Sequence, residues 1–323
     1  TIHPLWVSGQ PCLAAMPRTS YLFQTDLGDP VSCVFVNDFG CMAGSMLGKV
    51  MYYSFKDGEA ETLAAFSDEG VRGLYLDSEM SYATLMDLCK GWQSEAPYQP
   101  ALSVNFRHWD RKNAQNVKHI LQRGPWVLVL FPMSTTVMHV GHQEHHHRSF
   151  KLFDYGTSAE VAPCDFDGEK LVLVDRSRGL GPPLFRIVHL ERNQHTEVDN
   201  LPSADSMTLL KLWGASYLVC AQHRNLVVYD YEDQAVKLTI NSNGSEIMAV
   251  DSQDPEILAT LDRDATAKLW NGRTGECMAK VHIPDAHYHM GYPYCLCVSG
   301  HRIVLSADEG VFLAELDDVP GVP

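Results

Sequence analysis

Basic residues are scarce in this chain. Across 323 residues, 25 Lys and Arg stand against 40 Asp and Glu, a formal charge of −15. A general nucleic-acid binder must neutralise phosphates with cationic side chains, so nucleic acid is not expected as the main ligand. Long apolar runs are missing too. None approaches the ~20 residues that a helix needs to span a bilayer, and membrane insertion is not expected. The residues after Thr1 lack the basic start and apolar block of a secretory signal. Helical periodicity is nearly absent: the one stretch that invites a helix, 113–123, is ended by Gly124-Pro125.

Signatures of catalysis are absent as well. The sequence has no Gly-x-Ser-x-Gly elbow, no His-Glu-x-x-His pair and no Gly-x-x-x-x-Gly-Lys cradle. The Gly-rich run 178–182 is followed by no helical pattern and reads as a loop. No cofactor is expected, and the chain reads as a non-enzyme. Its nine cysteines (Cys12, Cys33, Cys41, Cys89, Cys164, Cys220, Cys277, Cys295 and Cys297) are odd in number and lie mostly inside apolar runs. Cys295-Leu-Cys297 has strand alternation, not the two-residue gap of a zinc or redox pair. Reduced core thiols of an intracellular protein, cytoplasmic or nuclear, are expected.

What the sequence does have is repetition. Short apolar segments at 31–37, 41–45, 49–55 and 60–66 form a set of four, and 246–250, 257–261, 266–270 and 277–281 form another. Strands of ~5 residues separated by Gly, Pro, Asn and Asp indicate a sandwich, barrel or propeller. Third strands align on 50–53, 137–140, 185–188, 226–229, 268–270 and 311–313. The later spacings fall near ~40–45 residues, a propeller-blade period. The doubled gap from Tyr53 to Val137 leaves room for one divergent blade, with 82–88 and 101–108 as two of its strands.

The expectation is an all-β chain: a single β-propeller domain over 1–323, with seven blades of four antiparallel strands. The last unit, 294–316, has three strands, so the N-terminal segment 21–25 is expected to supply its fourth and close the ring.

The run from Leu261 to Glu276, with Asp264, Thr266, Lys268-Leu269-Trp270 and Thr274-Gly275-Glu276, resembles the WD-repeat consensus. Segments 306–311 and 45–50 are weaker copies, and the Gly-His dipeptide of many such repeats is not evident. The resemblance implies structural roles for Asp264, as a turn acceptor, and for Thr266 and Trp270, as blade anchors.

It also implies that turns between second and third strands share a rim with the loops joining blades. That placement sets Arg176 and Arg178, then His223 and Arg224, then Arg263 on one rim, with Asp308 and Glu309 next. Such an arginine cluster suits an acidic or phosphorylated peptide, and solvated loop arginines are the plainer reading.

The tract 141–148 offers His142, Glu144 and His146 as donors to a metal, against a solvated loop between third and fourth strands. Trp109-Asp110-Arg111-Lys112 and Trp270-Asn271-Gly272-Arg273 resemble the Trp-Asp-x-Arg box of propellers that dock onto cullin ubiquitin ligases.

Three functions follow. The first is a non-catalytic interaction scaffold or peptide-recognition platform, a monomeric subunit of a multiprotein complex whose partners are other proteins. The second is the substrate receptor of a cullin-type ubiquitin ligase. The third is an enzyme or metal-dependent protein using the propeller centre or the His142–His147 loop.

Overall fold

Strands in this chain are short because turn-forming residues interrupt every apolar run. A computed structural model describes residues 6–7, 18–24, 29–66, 69–78, 80–85, 88–93, 100–106, 119–130, 134–139, 147–151, 164–175, 184–192, 194–198, 201, 209–252, 256–283, 293–308 and 310–316. The described strands group into seven antiparallel sheets.

Blade one is β3 (Val31–Val36), β4 (Gly40–Ser45), β5 (Lys49–Ser54) and β6 (Ala60–Ala65). Blade two is β7 (Gly73–Leu76), β8 (Met80–Thr84), β9 (Leu88–Gln93) and β10 (Pro100–Asn105). Blade three is β11 (His119–Arg123), β12 (Trp126–Leu130), β13 (Ser134–His139) and β14 (His147–Lys151). Blade four is β15 (Asp165–Phe166), β16 (Lys170–Asp175), β17 (Leu184–His189) and β18 (Gln194–Val198).

Blade five is β19 (Leu209–Trp213), β20 (Tyr217–Gln222), β21 (Asn225–Asp230) and β22 (Ala235–Asn241), with β1 (Trp6–Val7) added in parallel to β22. Blade six is β23 (Ile247–Asp251), β24 (Ile257–Asp262), β25 (Thr266–Asn271) and β26 (Cys277–His282). Blade seven is β27 (Leu296–Ser299), β28 (Arg302–Ala307), β29 (Gly310–Glu315) and β2 (Arg18–Gln24).

First strands touch one another in a closed circuit, so the sheets form a ring about a centre. Seven apolar clusters fill the seven seams between consecutive blades. The second strand β4 is packed on both faces with mostly small side chains: it reads Gly-Cys-Met-Ala-Gly-Ser and is buried throughout. At Gly44 a side chain would strike Val71 of blade two at 2.5 Å. Outer strands such as β6 and β18 are largely exposed and correspondingly polar. In blades one, two, five, six and seven the outer strand carries one extra, bulged residue: Leu63, Ala101, Lys237, Met278 and Leu22. Such bulges increase local twist and interrupt the edge.

The ring, its seven blades and the N-terminal closing strand match the expected architecture. The closing strand is longer than expected, running from Arg18 opposite Glu315 to Gln24 opposite Gly310. The divergent blade has different strand bounds. Segment 82–88 is not one strand, because Leu85 N–H turns back to the Leu88 carbonyl at 2.8 Å and separates β8 from β9. Within 113–123, His119–Arg123 is a strand paired with β12, not a helix. Strand β1 was not anticipated.

Candidate functional site

In blades one, five, six and seven the turn between the second and third strands reverses the chain in two or three residues. One residue then adopts the left-handed conformation: Gly48 (φ 90°), His223 (52°), Ala265 (59°) and Asp308 (48°). Glycine takes this conformation readily and His and Asp tolerate it, whereas Ala265 is held there by its surroundings. The turn carbonyls are then spent on the neighbouring loops. His223 O accepts from Ile247 N–H at 2.6 Å, Arg224 O from Ser242 N–H at 2.9 Å, and Asp308 O from Val31 N–H at 3.0 Å. The rim is thus fixed by backbone bonds, and the side chains of His223, Arg224 and Arg263 on it are exposed.

Between blades five and six the loop 242–246 lies between two of these turns. Glu246 O accepts from Arg263 N–H at 2.8 Å, and Ser245 Oγ from Asp264 N–H at 3.0 Å. The Glu246 carboxylate sets Oε2 3.2 Å from Arg263 Nη1 and Oε1 3.6 Å from His223 Nδ1. Both partners stay open to solvent, with side-chain exposures of 71% for His223 and 57% for Arg263. Arg224 is exposed beside them. His223 and Arg263 are therefore brought together by an acid that sequence reading missed. Its signal was its place in a blade-joining loop directly before β23.

Arg176 and Arg178 lie outside the described residues, as do His142, Glu144 and His146, and the Trp109–Lys112 box. Cys12 and Glu309 also fall outside them. On the next turn Asp308 is buried. In the second box Trp270 is buried and Asn271 Oδ1 caps its own turn, accepting from Arg273 and Thr274 N–H at 2.9 Å each. Arg273 pairs with Glu256.

Beneath loop 242–246 the carboxylate at the heart of the corner is Asp262, not Asp264. Lys268 Nζ donates to Asp262 Oδ2 at 2.5 Å and to Ser242 O at 2.7 Å, with both side chains buried. Gly244 presses directly on this pair, leaving no room for a side chain. Asp262 Oδ1 is buried with no hydrogen-bond partner. Burial pushes Asp262 up to about 6 against the pull of Lys268, and nearby Asp264 adds to the rise. Trp270 Nε1 donates to Thr260 Oγ1 at 3.0 Å, and Thr266 Oγ1 meets His282 Nδ1 at 3.1 Å. These contacts tie β25 to β24 and β26.

The propeller centre holds a second charged set. Lys211 of β19 pairs with Asp251 of β23, whose other oxygen accepts from Val298 N–H at 2.8 Å. Asp165 of β15 accepts from Leu212 N–H at 2.7 Å. Arg123, at the end of β11, reaches across the ring to Ser252 O at 2.9 Å. Burial raises Asp165 above its ordinary value despite Lys211 and Arg123. Burial also acts on Asp251, but there Lys211, Arg123 and hydrogen bonds outweigh it and hold the acid below its ordinary value. Every member is used inside the fold, so the set is a clasp. The described cysteines are free thiols. Burial pushes Cys89 and Cys295 up to about 12, and raises Cys33, Cys41, Cys220 and Cys297 as well. Among the described residues no group of three or more His, Cys, Asp or Glu converges as metal ligands.

No model of a protein family matches this sequence, and no curated protein matches it. Solved structures do match in fold. A chain in the crystal structure of a mitotic checkpoint complex is similar with a TM-score of 0.66 and 12% identity, covering 98% of this chain and 97% of that one. The WD40 β-propeller domain of Doa1 is similar with a TM-score of 0.65 and 12% identity, covering 93% and 98%. The fold is thus a seven-bladed β-propeller with WD40 propellers among its structural neighbours. Identity this low speaks to fold and not to activity.

Proposed function

We propose that the chain is a non-catalytic, intracellular interaction platform, cytoplasmic or nuclear. It acts as one propeller domain and as a monomeric subunit of a larger complex. Its rim binds an acidic or phosphorylated peptide of a partner protein through His223, Arg224 and Arg263.

The observation that carries this reading is Glu246. An internal carboxylate already sits against Arg263 and His223 while both remain open to solvent, so the arc holds an anion in the position a partner's acid would take. Guanidinium groups bind carboxylate and phosphate with charge-assisted, often bidentate bonds. A fold neighbour drawn from a protein complex, and buried ionisable groups consumed by internal pairs, support the same reading.

The test is affinity purification of the full chain from its native cells, with mass spectrometry. Wild type is compared with Arg224→Glu/Arg263→Glu, with and without phosphatase treatment. A partner set lost from the double variant supports the rim reading, and loss on phosphatase treatment assigns the anion to phosphate. Identical recovery by both proteins sinks it, and cullin-ligase adaptors in both preparations would favour the receptor reading.

A further inference from the structure

The outer strand of a blade leaves a row of N–H and C=O groups unpaired on its outward side, and such an edge accepts any extended chain that fits it. Blade five is the one sheet among the described residues that carries a fifth strand. Strand β1 lies parallel to β22, with Trp6 opposite Thr239 and Val7 opposite Ile240.

The reason for that position lies in the bulge. In blade two the bulged residue of the outer strand is Ala101, and in blades one, six and seven it is Leu63, Met278 or Leu22, each of these three packed against a core cluster. In blade five it is Lys237, exposed and paired with Asp230 and Asp233. A bulge that bears charge interrupts the ladder and guards the first half of the strand. Beyond it the register is regular from Leu238 opposite Val228 to Asn241 opposite Asn225. Leu238 and Ile240 are turned into the seam with blade six, where Gly275 packs against both. The second half is therefore an unguarded edge with a rigid apolar backing, and β1 pairs there. Its own sequence, Pro4-Leu5-Trp6-Val7-Ser8-Gly9-Gln10-Pro11, sets β-prone residues between two prolines. Proline cannot donate to a ladder, so the strand offered is short. Parallel pairing is also slightly less stable per residue than antiparallel.

The geometry points to the 238–241 edge of blade five as a strand-docking site. It takes an extended, proline-bracketed segment of aromatic and β-branched residues from a partner protein, and the chain's own Trp6–Val7 is its resident, exchangeable occupant. The site is a blade edge and not the rim, so it stands or falls independently of the arginine arc.

The probe is a fluorescein-labelled peptide of residues 1–10 of this chain. It is titrated against the full wild-type chain and against the full chain carrying Trp6→Pro/Val7→Pro, followed by anisotropy. The prolines remove the resident strand's donors while leaving every blade intact, which an unchanged melting temperature verifies. The variant is expected to bind the peptide at least tenfold more tightly than wild type. Its outward-facing amides within 238–241 should exchange at least tenfold faster with deuterium and slow again when the peptide is added. A peptide carrying the same two prolines should not bind. Equal affinity for both proteins, no binding to the variant, or unchanged exchange at 238–241 overturns the assignment.

Discussion

Asp262 shows how much a single buried side chain can settle. It is fully buried, shares one oxygen with Lys268 under Gly244 and leaves the other without a hydrogen-bond partner. Its folded pKa of about 6 lies above its ordinary 3.8, so the folded state holds this proton more tightly than the unfolded chain does. Protons held preferentially by the folded state make stability fall with rising pH. Wild type should therefore lose stability relative to Asp262→Asn as pH rises from about 4 through about 6, with no further change above that. Urea midpoints for the two proteins at pH 4, 5, 6 and 7 check this, and parallel profiles would show that the pair bears no titration. Nothing in the sequence marked Asp262 over Asp264, which stands in the WD-type turn position. What separates them is burial, a property of the corner and not of the tripeptide Asp262-Arg263-Asp264.

At the scale of elements, the first strands do more than line the ring. β11, β15, β19, β23 and β27 are joined across the centre by Arg123, Asp165, Lys211 and Asp251. Removing one partner of a buried pair leaves an uncompensated charge, at a cost of about 3–5 kcal/mol. Lys211→Met is expected to lose that much at pH 7. Asp251 is held below 3.8 in the folded state, so its stabilising contribution is present above that value and lost as pH falls through the depressed one. The deficit of Lys211→Met should accordingly shrink on acidification below about pH 4, and Asp251→Leu in the same chain should restore most of it at pH 7. Chemical denaturation at the two pH values reads both. Existence of the strands was legible because apolar runs and turn residues alternate. The bounds of β8 and β9 were not, since Leu85 is as apolar as its neighbours and only its turn back to Leu88 separates them. The clasp was faintly legible, as single charges inside the apolar contexts Leu210-Lys211-Leu212 and Val250-Asp251. The pairing among those charges belongs to ring closure, which no local pattern encodes.

For the whole molecule the decisive contact is the most distant one in sequence, Arg18 opposite Glu315. The seam it completes also packs Leu22 into a cluster with Val311, Leu313, Val304 and residues of the first three strands of blade one. Removing residues 1–24 strips blade seven to three strands, exposes the β29 edge and uncovers that packing. A loss on the order of 5 kcal/mol follows from several backbone hydrogen bonds and one or two large apolar side chains. That corresponds to a fall in Tm of roughly 10 °C, with association through the bared edge. Calorimetry and light scattering read the two effects. Because Arg18 faces Glu315, a circular permutant can begin at Asp29 and carry residues 18–28 after Leu316 through a short turn. It has every strand of blade seven but no covalent link from β2 to β3. If the strand itself closes the ring, the permutant regains most of the lost Tm and stays monomeric. If it stays as unstable as the truncation, closure rests on the link between blades seven and one, and the seam core is too weak to hold without it.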